Sequence, residues 1–164
     1  QVWHAPTTKK LPGLVASVEL EGGQAPVAIQ RTYLTPPGVK AAIERNKAML
    51  GPVKGGAVRL SDGQGPLVVA EGIETGLSVR NALDQHSPRV WAALSTSGMT
   101  GLRLPEKHAE LVIAPDNDPP GQRAAEQLAE RAYALGWVVS LLPPPQDFND
   151  FNDWALAQRD GRNG

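Results

Sequence analysis

The feature that most constrains this chain is the alternation in its second half. Four short apolar runs, at residues 67–70, 90–94, 111–114 and 137–142, are separated by segments long enough for helices. The first, Leu67-Val68-Val69-Ala70, is apolar throughout rather than at every second position, as a strand covered on both faces must be. Between the runs, residues 75–85 suit a helix with Leu77, Ala82 and Leu83 facing inward and Thr75 as a candidate N-cap. Residues 122–135 suit another, with Gly136 where a C′ glycine is expected. Residues 95–101 read as a loop of small polar residues, a short helix is expected after Pro105, and a last one follows residues 147–154. Strands alternating with helices imply an α/β fold: a Rossmann-like parallel sheet of about four strands with right-handed crossovers, flanked by helices.

The first half has another rhythm. Residues 14–20 alternate in the period of a half-buried strand, residues 21–24 supply a turn, and residues 26–34 read as the return strand of a hairpin. Thr35-Pro36-Pro37-Gly38 breaks it, residues 40–50 are open between helix and loop, residues 57–60 form a short strand, and residues 61–66 mark a boundary. The expected division is a lead-in over 1–12, a small antiparallel β-rich subdomain over 13–65 and the α/β domain over 66–164. The chain opens on Gln1 without an initiator Met, which fits an excised domain.

Charge follows the same division. Residues 1–60 carry eight Lys/Arg against three acids, whereas residues 61–164 carry eight against fourteen. A basic part beside an acidic one suits a protein that holds a polyanion with one and cations with the other. The absence of Cys removes disulfides and Cys-type zinc sites, and His4, His86 and His108 lack ligand spacing and read as surface residues. No long apolar stretch or leader pattern is present, so a cytoplasmic protein without a membrane partner is expected.

The acids then become informative by position. In an open parallel sheet, ligands bind beyond the carboxyl ends of the strands. Glu71 follows the first apolar run directly, and Asp116 and Asp118 follow the third. If those strands are neighbours, three carboxylates share one edge, and their repulsion calls for a divalent cation. Gly72 and Gly121 allow close backbone approach beside them. Glu74 can join the site or simply favour the first turn of its helix. Asp147, Asn149 and Asp150 can reach the same edge or cap the final helix.

Strand–Glu71-Gly72–helix, strand–Ser95-Thr96-Ser97-Gly98 and strand–Asp116-Asn117-Asp118-Pro119-Pro120-Gly121–helix together resemble the Toprim domain of bacterial primases, topoisomerases and some nucleases. Val69-Ala70-Glu71-Gly72-Ile73-Glu74-Thr75-Gly76-Leu77-Ser78 and the late Asp147-Phe148-Asn149-Asp150 are similar to plasmid, phage and conjugative-element primases and primase-helicases. Gln30-Arg31-Thr32-Tyr33-Leu34 and Gly55-Gly56-Ala57-Val58-Arg59-Leu60 look like the basic strand-rich subdomain ahead of Toprim in such primases. In family primases an Asp commonly stands four residues after the Glu; here that position is Thr75.

The resemblance implies a DNA primase core, making RNA primers on single-stranded DNA from nucleoside triphosphates with Mg²⁺ or Mn²⁺. Glu71, Asp116 and Asp118 would be the catalytic and metal-binding residues, with Glu71 a ligand or a general base. Arg31, Lys40 and Lys47 would contact template or nucleotide phosphates, and Glu74, Gly72, Gly98, Gly121, Asp147 and Asp150 are further site candidates. A zinc-binding module and a helicase are the implied partners.

Three alternatives stay open. A nuclease would use the same acids, whereas topoisomerase-type cleavage needs a nucleophilic Tyr, and Tyr33 and Tyr133 both lie away from the acidic edge. A non-catalytic module would hold DNA or a partner without chemistry. A receiver-type phosphoacceptor would need a strand-end Lys that the sequence does not offer.

Overall fold

A computed structural model describes residues 1–107 and 109–161; His108 lies outside the described residues. The chain opens with a two-stranded antiparallel hairpin, β1 (Val2–His4) and β2 (Lys9–Leu11), where a lead-in was expected. The hairpin is anchored by His4, which is buried rather than on the surface. Its Nε2–H donates to the Glu44 carbonyl at 3.2 Å, its Nδ1 accepts from the Thr7 hydroxyl at 2.8 Å, and its ring packs edge-on against Tyr33.

Next come β3 (Gly13–Val18), β4 (Ala28–Tyr33) and β5 (Lys47–Leu50), an antiparallel three-stranded sheet. β5 falls in the segment left open between helix and loop. Pairing with β4, from Ile29↔Leu50 to Thr32↔Lys47, gives it strand form despite its mixed sequence. Along β4 the side chains alternate between faces, with Ala28, Gln30 and Thr32 buried and Ile29 and Arg31 half-buried on the opposite side.

β6 (Val58–Asp62) pairs antiparallel with β8 (Arg89–Ala92) and so belongs to the second sheet. That sheet also contains β7 (Leu67–Ala70), β8 (Arg89–Ala92), β9 (Glu110–Ala114) and β10 (Val138–Leu141), in the order β10-β9-β7-β8-β6. β7 is parallel to both β8 and β9, and β10 is parallel to β9. The expected sheet of about four parallel strands is present, with β6 added as an antiparallel fifth.

The apolar runs divide between two faces. Leu67, Val69, Leu111 and Ile113 pack on Ala124, Ala125, Leu128 and Ala132 of α3 (Pro119–Ala134) and on Met99 of α2 (Thr96–Gly101). Val68, Ala70, Val90 and Ala114 pack on Val79 of α1 (Ile73–Ala82) and Phe151 of α4 (Phe151–Gly161). A third cluster, Val18, Ala28, Val58, Ile73 and Ala92, joins the three-stranded sheet to the five-stranded one.

Three helix starts differ from expectation. α1 begins after Gly72, so Thr75 is an interior residue and is buried rather than capping. α2 stands where a loop was expected, capped by Ser95 accepting the Gly98 N–H at 3.0 Å and pinned by buried Met99. α3 starts at Pro119, with prolines at its first two positions, where no N–H is needed. Glu106 and Lys107 form a bend rather than the start of a helix.

Candidate active site

β7 and β9 are in register, Ala70 opposite Ala114, and the chain visits β8 on the far side of β7 before returning to β9. The winding direction therefore reverses between β7 and β9, which opens a crevice at their carboxyl ends. Glu71 and Asp116 leave the sheet at this crevice.

Glu71 is half-buried, and its Oε2 is buried without a hydrogen-bond partner. Its backbone carbonyl accepts the Leu94 N–H at 2.7 Å, tying it to the end of β8. Burial, then the negative charges of Asp116 and Asp118, push the Glu71 carboxyl up to about 7, against the opposing influence of Lys47 and a backbone hydrogen bond from Thr96. Burial, then Asp150 and Asp118, push Asp116 up to about 6, opposed by the Thr75 hydroxyl, which donates to Asp116 Oδ1 at 3.5 Å, and by Lys47.

Asp118 has a second duty. Its Oδ1 accepts the Gly121 N–H at 2.7 Å and caps α3. Asp150 likewise caps α4, accepting the Asp153 N–H at 2.8 Å, while its charge acts on Asp116. Asp147 is exposed. The helix-capping alternative for the late acids is thus realised at Asp150 together with proximity to the edge.

Asn117, inside the acidic motif, latches the two loops together. Its N–H donates to the Asn149 carbonyl at 2.6 Å, its Nδ2 donates to the Phe148 carbonyl at 3.2 Å, and its Oδ1 accepts from Gln122 Nε2 at 3.1 Å. Asn117→Ala removes the side-chain bonds and should cost about 1–3 kcal/mol. Faster amide exchange over residues 146–150 is the expected readout, and unchanged exchange would show that the latch carries no load.

The glycines differ in kind. A Cβ on Gly121 would stand 2.8 Å from the Asp116 carbonyl oxygen, and one on Gly98 would collide with the Ala93 carbonyl oxygen, so both positions need glycine. Gly72 does not share this need: a Cβ there meets Glu74 Oε2 at an ordinary 3.5 Å, and its φ of −107° suits any residue.

Lys40 and Lys47 reach the edge through Glu74, with Nζ–carboxylate distances of 2.9 and 3.4 Å. Burial of Glu74 opposes its ionisation, but the hydrogen bond from Lys40 and the charge of Lys47 outweigh it, so Glu74 lies below its ordinary range. Arg31 is not brought to the edge. It lies on the face of β4 opposite Thr32, the residue paired with Lys47. Thr75 is the site residue that sequence reasoning missed as such; its position four residues after Glu71 was the available signal.

Hard carboxylate oxygens, one of them buried and unpartnered, suit a divalent cation such as Mg²⁺ or Mn²⁺ in donor type. Among the described residues, no three acidic or His side chains are close enough to cage an ion by themselves. The fit is therefore to an ion that keeps waters or ligand oxygens in addition to one or two carboxylates, which is the habit of Mg²⁺.

The raised acids give a pH dependence. A carboxyl whose folded value lies above its unfolded one stabilises the fold below the unfolded value and loses that contribution as pH rises through the folded one. For Glu71 the window runs from 4.5 to about 7. In EDTA, Glu71→Gln should melt above the parent at about pH 8, with the gap shrinking towards about pH 5. A gap independent of pH would contradict this.

The Toprim domain family model matches residues 66–161. The chain belongs to the Toprim family. In this Toprim protein, residues 1–60 match a domain of unknown function (DUF7146). No curated protein matches it by sequence. Among solved structures it is similar to the primase fragment of the bacteriophage T7 primase-helicase protein, with a TM-score of 0.59 and 18% identity over 90% of this chain. It spans 58% of that fragment's length. It is also similar to primase domains of two T7 gp4 subunits bound to an RNA/DNA hybrid and dTTP, in a complex with the lagging-strand DNA polymerase (TM-score 0.56, 18% identity, covering 90% of this chain and 72% of that one). A DNA primase domain from Pseudomonas aeruginosa aligns over 99% of this chain and 54% of its own, at TM-score 0.55 and 16% identity. The Toprim protein thus has a primase-like fold, as its motifs implied. No helix among its described residues is long and apolar enough to cross a membrane.

Proposed function

We propose that this chain is the catalytic core of a DNA primase, joining ribonucleotides on a single-stranded DNA template with Mg²⁺ or Mn²⁺. The mobile-element primases and primase-helicases that its motifs resemble supply the context, with residues 13–65 handling nucleic acid and the Toprim part holding the chemistry. The observation that carries the proposal is the pairing of Glu71 and Asp116 across the β7–β9 crevice, with Lys47 close enough to act on both.

Asp116 would be the principal ligand, because its carboxylate is not used to cap a helix. Glu71 would be a second, through its unpartnered oxygen, or would accept a proton from the attacking hydroxyl, since a carboxyl held near neutral pH is suited to that exchange. Asp118 would add its second oxygen while its first holds α3 in place. Lys47 and Lys40 would orient phosphate oxygens as Glu74 releases them. When bound, the cation would neutralise charge on the attacking and leaving oxygens of phosphoryl transfer. A zinc-binding module and a helicase would supply template selection and movement from outside this chain.

A second reading is a Toprim module that binds DNA or a partner without chemistry. It is favoured by the lack, among the described residues, of a three-acid cage. Incubation with single-stranded template, labelled ribonucleotides and Mn²⁺ separates the readings. Template-dependent oligomers are expected; degradation of the template would point to a Toprim nuclease, and metal-independent binding without synthesis to the module.

A further inference from the structure

The outer face of the three-stranded sheet carries a second constellation, separated from the crevice by the sheet itself. Trp3 is 50% exposed on β1, with Lys10 directly across the hairpin. Behind Trp3 lies a cavity of about 160 Å³, walled also by Arg31, Tyr33, Arg45 and Ala48. Arg31 Nε is buried there without a hydrogen-bond partner. Arg45 is held at a φ of +55°, a backbone conformation that L side chains other than Asn and Asp seldom take.

The platform is rigid. The Tyr33 hydroxyl donates to the Trp3 carbonyl at 2.8 Å, and His4 fastens the hairpin to Glu44 while its other ring nitrogen holds Thr7 in the hairpin's own loop. Beyond it, Val15 and Leu50 flank the Arg31 row on the same face and are both exposed. An aromatic ring open to solvent, three cations around it and an apolar strip beside it match a chain that alternates flat rings with negative charges. Single-stranded nucleic acid is such a chain, because its bases are free to stack and its phosphates run alongside. A duplex hides the faces that Trp3 would stack on.

We infer that this outer face is a contact site for single-stranded nucleic acid, with a base on Trp3 and phosphates on Arg31 and Arg45. The site is independent of the metal-dependent reading, since none of its residues belongs to the crevice. It explains why Arg31, though basic, is directed away from Glu71 and Asp116.

The test is titration of the whole chain with oligodeoxythymidylate in EDTA, reading tryptophan fluorescence and the anisotropy of an end-labelled strand. Trp91 and Trp137 are buried and Trp154 is partly buried against Phe151, so the share of the quenching that is lost in Trp3→Leu is the share that reports on Trp3. Trp3→Leu, which keeps an apolar side chain, should abolish most of the quenching and weaken binding at least about fivefold. Arg45→Asn, which tolerates the left-handed backbone, should weaken binding and flatten its salt dependence. Gly101→Ala, a neutral change with open space around its Cβ and outside both sites, should bind as the parent does. Affinities within twofold of the parent for both outer-face variants would overturn the inference. So would equal competition by duplex, or by thymidine monophosphate at matched phosphate concentration. Failure of ribonucleotide incorporation alone, with the Trp3 response intact, would sink the primase reading and leave this site standing.

Discussion

Asp116→Asn should lower Mg²⁺-dependent ribonucleotide incorporation at least about a hundredfold while leaving the fold intact. The substitution keeps the shape of the side chain and an oxygen for the Thr75 hydroxyl, and it disturbs no helix cap. What it removes is the charge that burial, Asp150 and Asp118 already make costly. In EDTA at about pH 8 the variant should therefore melt above the parent, the reverse of what a damaged core would do. Asp150→Asn provides the contrast: it keeps a capping oxygen for Asp153 and should cost less activity. Equal activity in Asp116→Asn and the parent would remove this carboxylate from the chemistry. A lower melting temperature in the variant would show that the repulsion is not real.

Gly98→Ala should be among the more damaging small substitutions at the described residues, lowering stability by roughly 3 kcal/mol or more. A Cβ at that position collides with the carbonyl oxygen of Ala93. Neither partner can yield cheaply. Ala93 N–H is bonded to the Ala70 carbonyl at 2.9 Å, Leu94 N–H to Glu71 at 2.7 Å, and Gly98 N–H to the Ser95 hydroxyl at 3.0 Å. Leu94 already stands at a φ of +74°, so the turn holds strain before any substitution. A fall in melting temperature of at least about 6 °C is expected for a chain of this size. Gly101→Ala is the control: nothing lies within 4 Å of a Cβ there. It should change stability by no more than about 0.5 kcal/mol.

The parallel sheet and its acids could be read from the sequence because their physics is local. Continuous apolar runs such as 67–70 must be covered on both faces, and acids that directly follow two such runs must emerge at one end of the sheet. What could not be read depends on distant partners. α2 contains Thr96, Ser97, Gly98, Thr100 and Gly101, all poor helix formers, and it forms because Ser95 caps it and Met99 fills the core beneath it. The hairpin at 2–11 hangs on His4 bonding to Glu44, 40 positions away. The face that Arg31 occupies could not be read, because β4 buries Gln30 and Thr32 and turns Ile29 and Arg31 the other way, the opposite of apolar-in patterning. Gly72 was credited with a steric role because it neighbours an acid, and space around it shows otherwise. Thr75 joined the site through a helix that starts one residue after Gly72, a boundary that propensity fixes poorly.

The pairing of Lys40 and Lys47 with one carboxylate has an electrostatic consequence. Two cations share Glu74, so that corner keeps a surplus positive charge, a short way from the negative corner formed by Glu71 and Asp116. The mouth of the crevice is thus dipolar. A bare cation is drawn to one corner and repelled by the other, and a bare phosphate meets the same conflict in reverse. Under the proposed function, a cation and a phosphate arriving as a neutral pair, correctly oriented, would satisfy both corners at once, and the charge pattern would favour the pair and one direction of entry.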